Sequence, residues 1–203
     1  MENLWLEVCS RQKINQNIAQ QWLEKVLRNY SDDKRVYHNQ NIMFQQKETY
    51  LREGNANDSV ILAAIFQYYL FDPMKDNQEE NCQAFREFMQ EADVKNENLE
   101  KYVTKLLGEN IPDEINGFDD SAQFLQDLDI AILGSSPDEY KNYTDLLQKE
   151  YKDMNPESYK STRLKILKTF LTIPSIYSTE FFRERLEESA RRNIKKEIEE
   201  LNK

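Results

Sequence analysis

Four glycines and five prolines are all that a chain of 203 residues offers for breaking regular structure. Few positions can therefore adopt a positive φ or lose their amide. The abundant Glu, Lys, Gln and Leu between them surrender little side-chain freedom in a helix. These residues predict an all-α chain. No Pro/Gly/Ser-rich linker interrupts it and its length suffices for one core, so a single helical domain over residues 1–203 is expected, a bundle of about eight or nine helices.

Apolar residues recur near a period of 3.6 through Ile18, Trp22, Val26 and Leu27, and through Ile61, Leu62, Ile65, Tyr69 and Leu70, so each segment should bury one face. Asp76-Asn77-Gln78-Glu79 has the form of a capping box. Ser136-Pro137 and Asn155-Pro156 each place a cap before a proline at the first helical position. Gly134 is expected to stop a helix in the left-handed conformation, and Gly108 to do so less strongly. The last helix should run from Ser178 or Thr179 to Leu201, with Phe181, Phe182, Leu186, Ala190, Ile194, Ile198 and Leu201 as a core stripe.

The 27 basic and 37 acidic residues leave a net charge of −10, which opposes binding to a phosphate backbone or an anionic bilayer. Nucleic acid is not an expected partner. Arg183, Arg185, Arg191, Arg192, Lys195 and Lys196 cluster near the C-terminus, but Glu184, Glu187, Glu188, Glu197, Glu199 and Glu200 interleave with them, as on an ion-paired, solvated face. Cys9 and Cys82 are too isolated for a disulfide framework or a zinc site, which points to a reducing, intracellular setting. The cytoplasm is the default, with ciliary and organellar assemblies left open. The N-terminal residues lack the apolar core of a signal peptide, and no apolar run approaches the roughly 20 residues of a membrane span.

His38 is the only histidine. Metal-dependent hydrolysis normally draws on several imidazoles together with carboxylates, so one histidine constrains the chemistry severely.

Arg35-Val36-Tyr37-His38-Asn39, then Leu62-Ala63-Ala64-Ile65-Phe66-Gln67-Tyr68-Tyr69-Leu70-Phe71-Asp72-Pro73, Asp76 to Glu80, and Phe124 to Gly134 follow one another with a recognisable spacing. Tyr140, Tyr143, Glu150-Tyr151, Arg163, Leu167, Phe170-Leu171, Ile176-Tyr177, Glu187 and Ala190 to Asn193 continue it. From about residue 20 to the end, the chain resembles the predicted metal-dependent phosphohydrolases of the HD superfamily. The resemblance implies a helical bundle whose active members hold a divalent metal through inward-facing histidines and aspartates.

The departures from that pattern fall on the ligands. Gln67 and Tyr68 stand where the resemblance places the adjacent His-Asp pair, and Ile42 where it places a second histidine. A later threonine-to-histidine motif falls near Asn110 to Asp113, where there is no histidine. Only His38 and Asp129 remain of the implied ligand set. Gln148 and Ile173 stand where arginines are common. An amide and a phenol in place of an imidazole and a carboxylate should abolish tight divalent binding, so no metal or cofactor is expected.

Each retained residue also has a structural explanation: His38 as a cap or half-buried ring, Asp129 as an acceptor for Tyr68 or His38, Asp76, Asn77 and Glu79 as caps, and Arg35 as the partner of a buried acid. The resemblance and its departures together imply a catalytically inactive protein serving as a structural or accessory subunit that binds other proteins. The alternative is a phosphohydrolase acting on a nucleotide or small phosphate ester through a modified site of His38, Asp129, Asp72 and Asp76. A third reading has the emptied pocket binding a small ligand through Gln67, Tyr68, Tyr69 and Asn39. Tyr140, Tyr143, Tyr151, Tyr159, Phe181 and Phe182 exceed what solubility requires and are interface candidates, although most are expected in the core.

Overall fold

The computed structural model describes residues 1–108 and 118–203, and these are all-α, with no strand among them. The described residues form ten α-helices: α1 (Glu2–Arg11), α2 (Gln16–Tyr30), α3 (Gln40–Glu53), α4 (Asp58–Phe66), α5 (Gln78–Glu91), α6 (Glu97–Leu106), α7 (Phe118–Asp129), α8 (Pro137–Glu150), α9 (Pro156–Thr172) and α10 (Glu180–Leu201). A 3-10 turn, Ala131–Gly134, precedes α8. The chain divides into two compact units, Met1–Leu125 and Gln126–Lys203. The boundary falls inside a helix, where composition carries no mark.

Asparagine side chains cap half of these helices. The side chains of Asn15, Asn39, Asn57, Asn96 and Asn155 each accept from one or two first-turn amides, satisfying donors with no partner inside the helix. Ser136 caps α8 ahead of Pro137 as expected, and with Glu139 it forms a reciprocal capping box besides. At α5 the box does not form. Asp76 accepts from Gln78 N, and the N-cap Asn77 turns its own carbonyl to Asp72 N, 2.8 Å away, pinning the preceding loop.

In the first unit, α4 packs against α1, α5 and α6. Every residue from Val60 to Phe66 is buried, so α4 is enclosed on all sides rather than on one face, and the period through Tyr69 and Leu70 outruns the helix. Phe66 lies within 5.2 Å of Phe85 and 5.8 Å of Phe88, and Phe88 within 4.8 Å of Trp5 and 5.4 Å of Trp22. Such pairs contribute about 0.5–1.5 kcal/mol each beyond their buried area.

In the second unit, α10 packs on α9 and on the 3-10 turn. Phe182, Leu186, Ala190 and Ile194 are buried as expected, while Ile198 and Leu201 are half-buried. Gly134 is needed for closeness, not for a left-handed stop: a Cβ there would stand 2.5 Å from Leu186 Cβ. Among the described residues the positive-φ glycine is Gly108, at +110°. Of the aromatic interface candidates, Tyr140, Tyr143 and Phe182 are buried, and Tyr151, Tyr159 and Phe181 half-buried. No described helix is long and apolar enough to cross a membrane.

Candidate functional site

An enclosed helix must place its last carbonyls somewhere other than water. At the exit of α4 three side chains receive them. Tyr30 Oη donates to Ile65 O at 2.9 Å. Asn81 Nδ2, from α5, donates to Gln67 O and Leu70 O at 2.9 and 3.1 Å, while its Oδ1 accepts from Leu70 N at 2.7 Å. The Arg35 guanidinium donates to Tyr68 O and Tyr69 O and lies 4.9 Å from the centre of the Tyr30 ring. Arg35 therefore holds main-chain carbonyls here, in addition to any acid it was expected to meet.

These braces fix the backbone of Gln67 and Tyr68, and their side chains meet the protein's own cation. Lys47, on the buried face of α3 and only 4% exposed, donates from Nζ to Gln67 Oε1 at 3.1 Å. The same ammonium lies 5.0 Å from the centre of the Tyr68 ring. His38 is packed among rings, 4.7 Å from Tyr68, 4.3 Å from Phe71 and 4.9 Å from Tyr37. It is not the cap of α3, a role taken by Asn39. Ile42 is half-buried in the first turn of that helix.

This donor set does not fit a divalent cation. The carboxamide oxygen at position 67 accepts from an ammonium, whose charge repels a second cation. Among the described residues, no three His, Cys, Asp or Glu side chains are grouped so as to hold a metal. Asp72 accepts from Met74 N at 2.9 Å and lies 3.5 Å from Lys75 Nζ. The Met74 amide above all, helped by Lys75, holds its carboxyl below the ordinary carboxylate range against the opposing effect of desolvation. Asp72 and Asp76 thus shape the turn ahead of α5.

Asp129, the last residue of α7, belongs to the second unit and is half-buried. Gln148 is exposed on α8, and Ile173 is 36% exposed just after α9. The Asn110 to Asp113 motif lies outside the described residues.

Three polar groups of the second unit, Asp127, Arg163 and Glu197, are buried, and Glu197 is thereby removed from the solvated face on which it was expected. Asp127 is 1% exposed and accepts from Ser178 N at 2.9 Å, Thr179 N at 2.7 Å and Thr179 Oγ1 at 2.6 Å, capping α10 in place of Thr179's own hydroxyl. Glu197 receives Arg163 through two hydrogen bonds, at 2.7 and 3.0 Å, and the Tyr140 hydroxyl. Arg163 also donates to Tyr143 Oη at 3.0 Å. Burial opposes the guanidinium charge, yet Tyr143 and Glu197 outweigh it and raise the Arg163 pKa. Burial first, then the Glu197 charge, raises that of Tyr140.

The chain matches no protein-family model, no curated protein and no solved structure.

Proposed function

We propose that this chain is a catalytically inactive protein of HD-like helical design, acting as a structural or accessory subunit that binds other proteins. The observation that carries this reading is the Lys47 ammonium against Gln67 and Tyr68. At the positions where the resembling enzymes assemble a metal centre, the polar groups are engaged with one another and with the rings of His38 and Phe71. The buried acids Asp127 and Glu197 likewise serve helix capping and an internal ion pair. What these side chains can do chemically is hold the fold.

The test is turnover. Purified full-length protein, incubated with nucleoside phosphates and phosphosugars in added Mn²⁺, Mg²⁺ or Co²⁺, should release no phosphate above the rate of a Gln67→Ala/Tyr68→Ala variant. Release that depends on metal and disappears in Asp129→Ala would replace this reading with that of a modified phosphohydrolase.

A further inference from the structure

Acidic residues make up 37 of the 203, yet none occurs between Glu157 and Glu180, the longest such run in the chain. Nearly all of α9 falls within it. Only Arg163 and Leu167 of this helix are buried, and a helix draws most of its stability from packing an apolar face. Its outer face is correspondingly open. Lys165 and Lys168 are exposed and make no ion pair among the described residues, unlike Arg191 and Arg192 on α10, each engaged by a glutamate one turn away.

Apolar surface flanks these lysines. Ile166 is 44% and Ile173 36% exposed, and Leu164, Phe170 and Leu171 are half-buried. A depression of about 460 Å³ runs between them, lined by Ser161, Leu164, Lys165, Lys168, Thr169 and Thr172, all from α9. An acid-free, lysine-bearing face beside exposed aliphatics, on a chain of net charge −10, is complementary to carboxylates interspersed with apolar anchors.

We infer that the outer face of α9 is a docking surface for an acidic amphipathic segment of a partner protein. This names the partner chemistry of the subunit role proposed above, and rests on that reading. A polynucleotide fits less well: Arg163, the arginine of this helix, is committed to Glu197, and two open lysines neutralise few phosphates against the repulsion of the remaining chain. An apolar anchor with carboxylates to either side uses both the lysines and the aliphatic shoulders.

The experiment is a selection of random helical 16-residue peptides, displayed and panned on the full-length protein at physiological salt, in parallel with Lys165→Glu/Lys168→Glu. Both substituted positions are exposed, so the variant should melt within a few degrees of the parent. Ile166→Ser is a second variant that leaves the charge intact. Enriched peptides should be rich in Asp and Glu, with apolar residues at i, i+3 or i+4 and i+7. Their affinity should fall at least roughly tenfold in the charge-reversed variant and on raising the salt, and severalfold in Ile166→Ser.

No enrichment, or enrichment that the charge-reversed variant retains, overturns the inference. So does binding of duplex DNA or phosphatidylserine vesicles that the variant loses, because it assigns the face to another class of partner. Phosphate release in the turnover assay would defeat the subunit reading independently of the peptides. An inert protein that selects nothing would defeat this surface alone.

Discussion

Lys47 Nζ lies 3.1 Å from Gln67 Oε1, inside the packing of α3 against the exit of α4. A lysine this deeply placed needs a hydrogen-bond acceptor and gains from an aromatic face, and positions 67 and 68 supply one of each. The ammonium thus has an acceptor and an aromatic face supplied by the protein itself.

If that pair is structural, Lys47→Met should destabilise the protein by about 1–3 kcal/mol, because Gln67 Oε1 loses a donor in a half-buried site. Adding Gln67→Leu should recover part of the loss, since replacing both partners with apolar groups removes the orphaned acceptor. Urea denaturation of the two variants reads this directly. A double variant no more stable than the single would count against the pairing.

The Arg163–Glu197 pair is buried on both sides, 8% exposed at each residue. Glu197→Gln should cost about 3–5 kcal/mol, the usual consequence of leaving one buried charge uncompensated. Arg163→Met/Glu197→Leu should cost less than that single change. Thermal melts that place the double variant lowest would show that the packing, and not the charge, is what the pair provides.

Glu187 makes stability depend on pH. Burial resists its ionisation, but the Ile176 and Tyr177 amides and the Arg191 guanidinium outweigh it and lower its pKa from the ordinary 4.5. A lowered folded-state pKa gives a contribution that is fully present above 4.5 and is lost as the pH falls through the lower folded value. The melting-temperature gap between wild type and Glu187→Gln should therefore be widest near neutrality and narrow below about 4.5. A gap that stays constant or widens in acid would refute the assignment.

Gly134→Ala should cost about 1–3 kcal/mol through overpacking, because the added Cβ would meet Leu186 Cβ at 2.5 Å and Leu186 O at 2.8 Å. The main-chain contact means that Leu186→Ala should restore little. Full rescue by that second change would show that only the side chain was in the way.

The all-α class, the α8 and α9 starts and the extent of α10 were legible because capping and periodicity are local. The enclosure of α4 had its own mark, since seven consecutive apolar residues from Val60 to Phe66 leave no polar face, but periodicity alone assigned the segment a single buried face. The alternative roles of Gly134 and Gly108 depended on which neighbour each meets. Lys47, Asp127 and Glu197 did carry a signal. Lys47 stands one turn from Met43 and Leu51, Asp127 beside Leu128 and one turn before Ala131, and Glu197 between Ile194 and Leu201, each about one turn away, so each is a charged residue inside an apolar stripe. The resemblance pointed to Asp129 and Gln67 instead.

The most direct measurement is isothermal titration of purified, chelator-treated full-length protein with Mn²⁺, followed by metal analysis of the protein as isolated. Side chains that already satisfy one another at Gln67, Tyr68 and Lys47 should give no stoichiometric site at micromolar affinity and no copurified metal. One equivalent of bound metal, lost in Asp129→Ala, would contradict the account and return this chain to the metal-dependent phosphohydrolases it resembles.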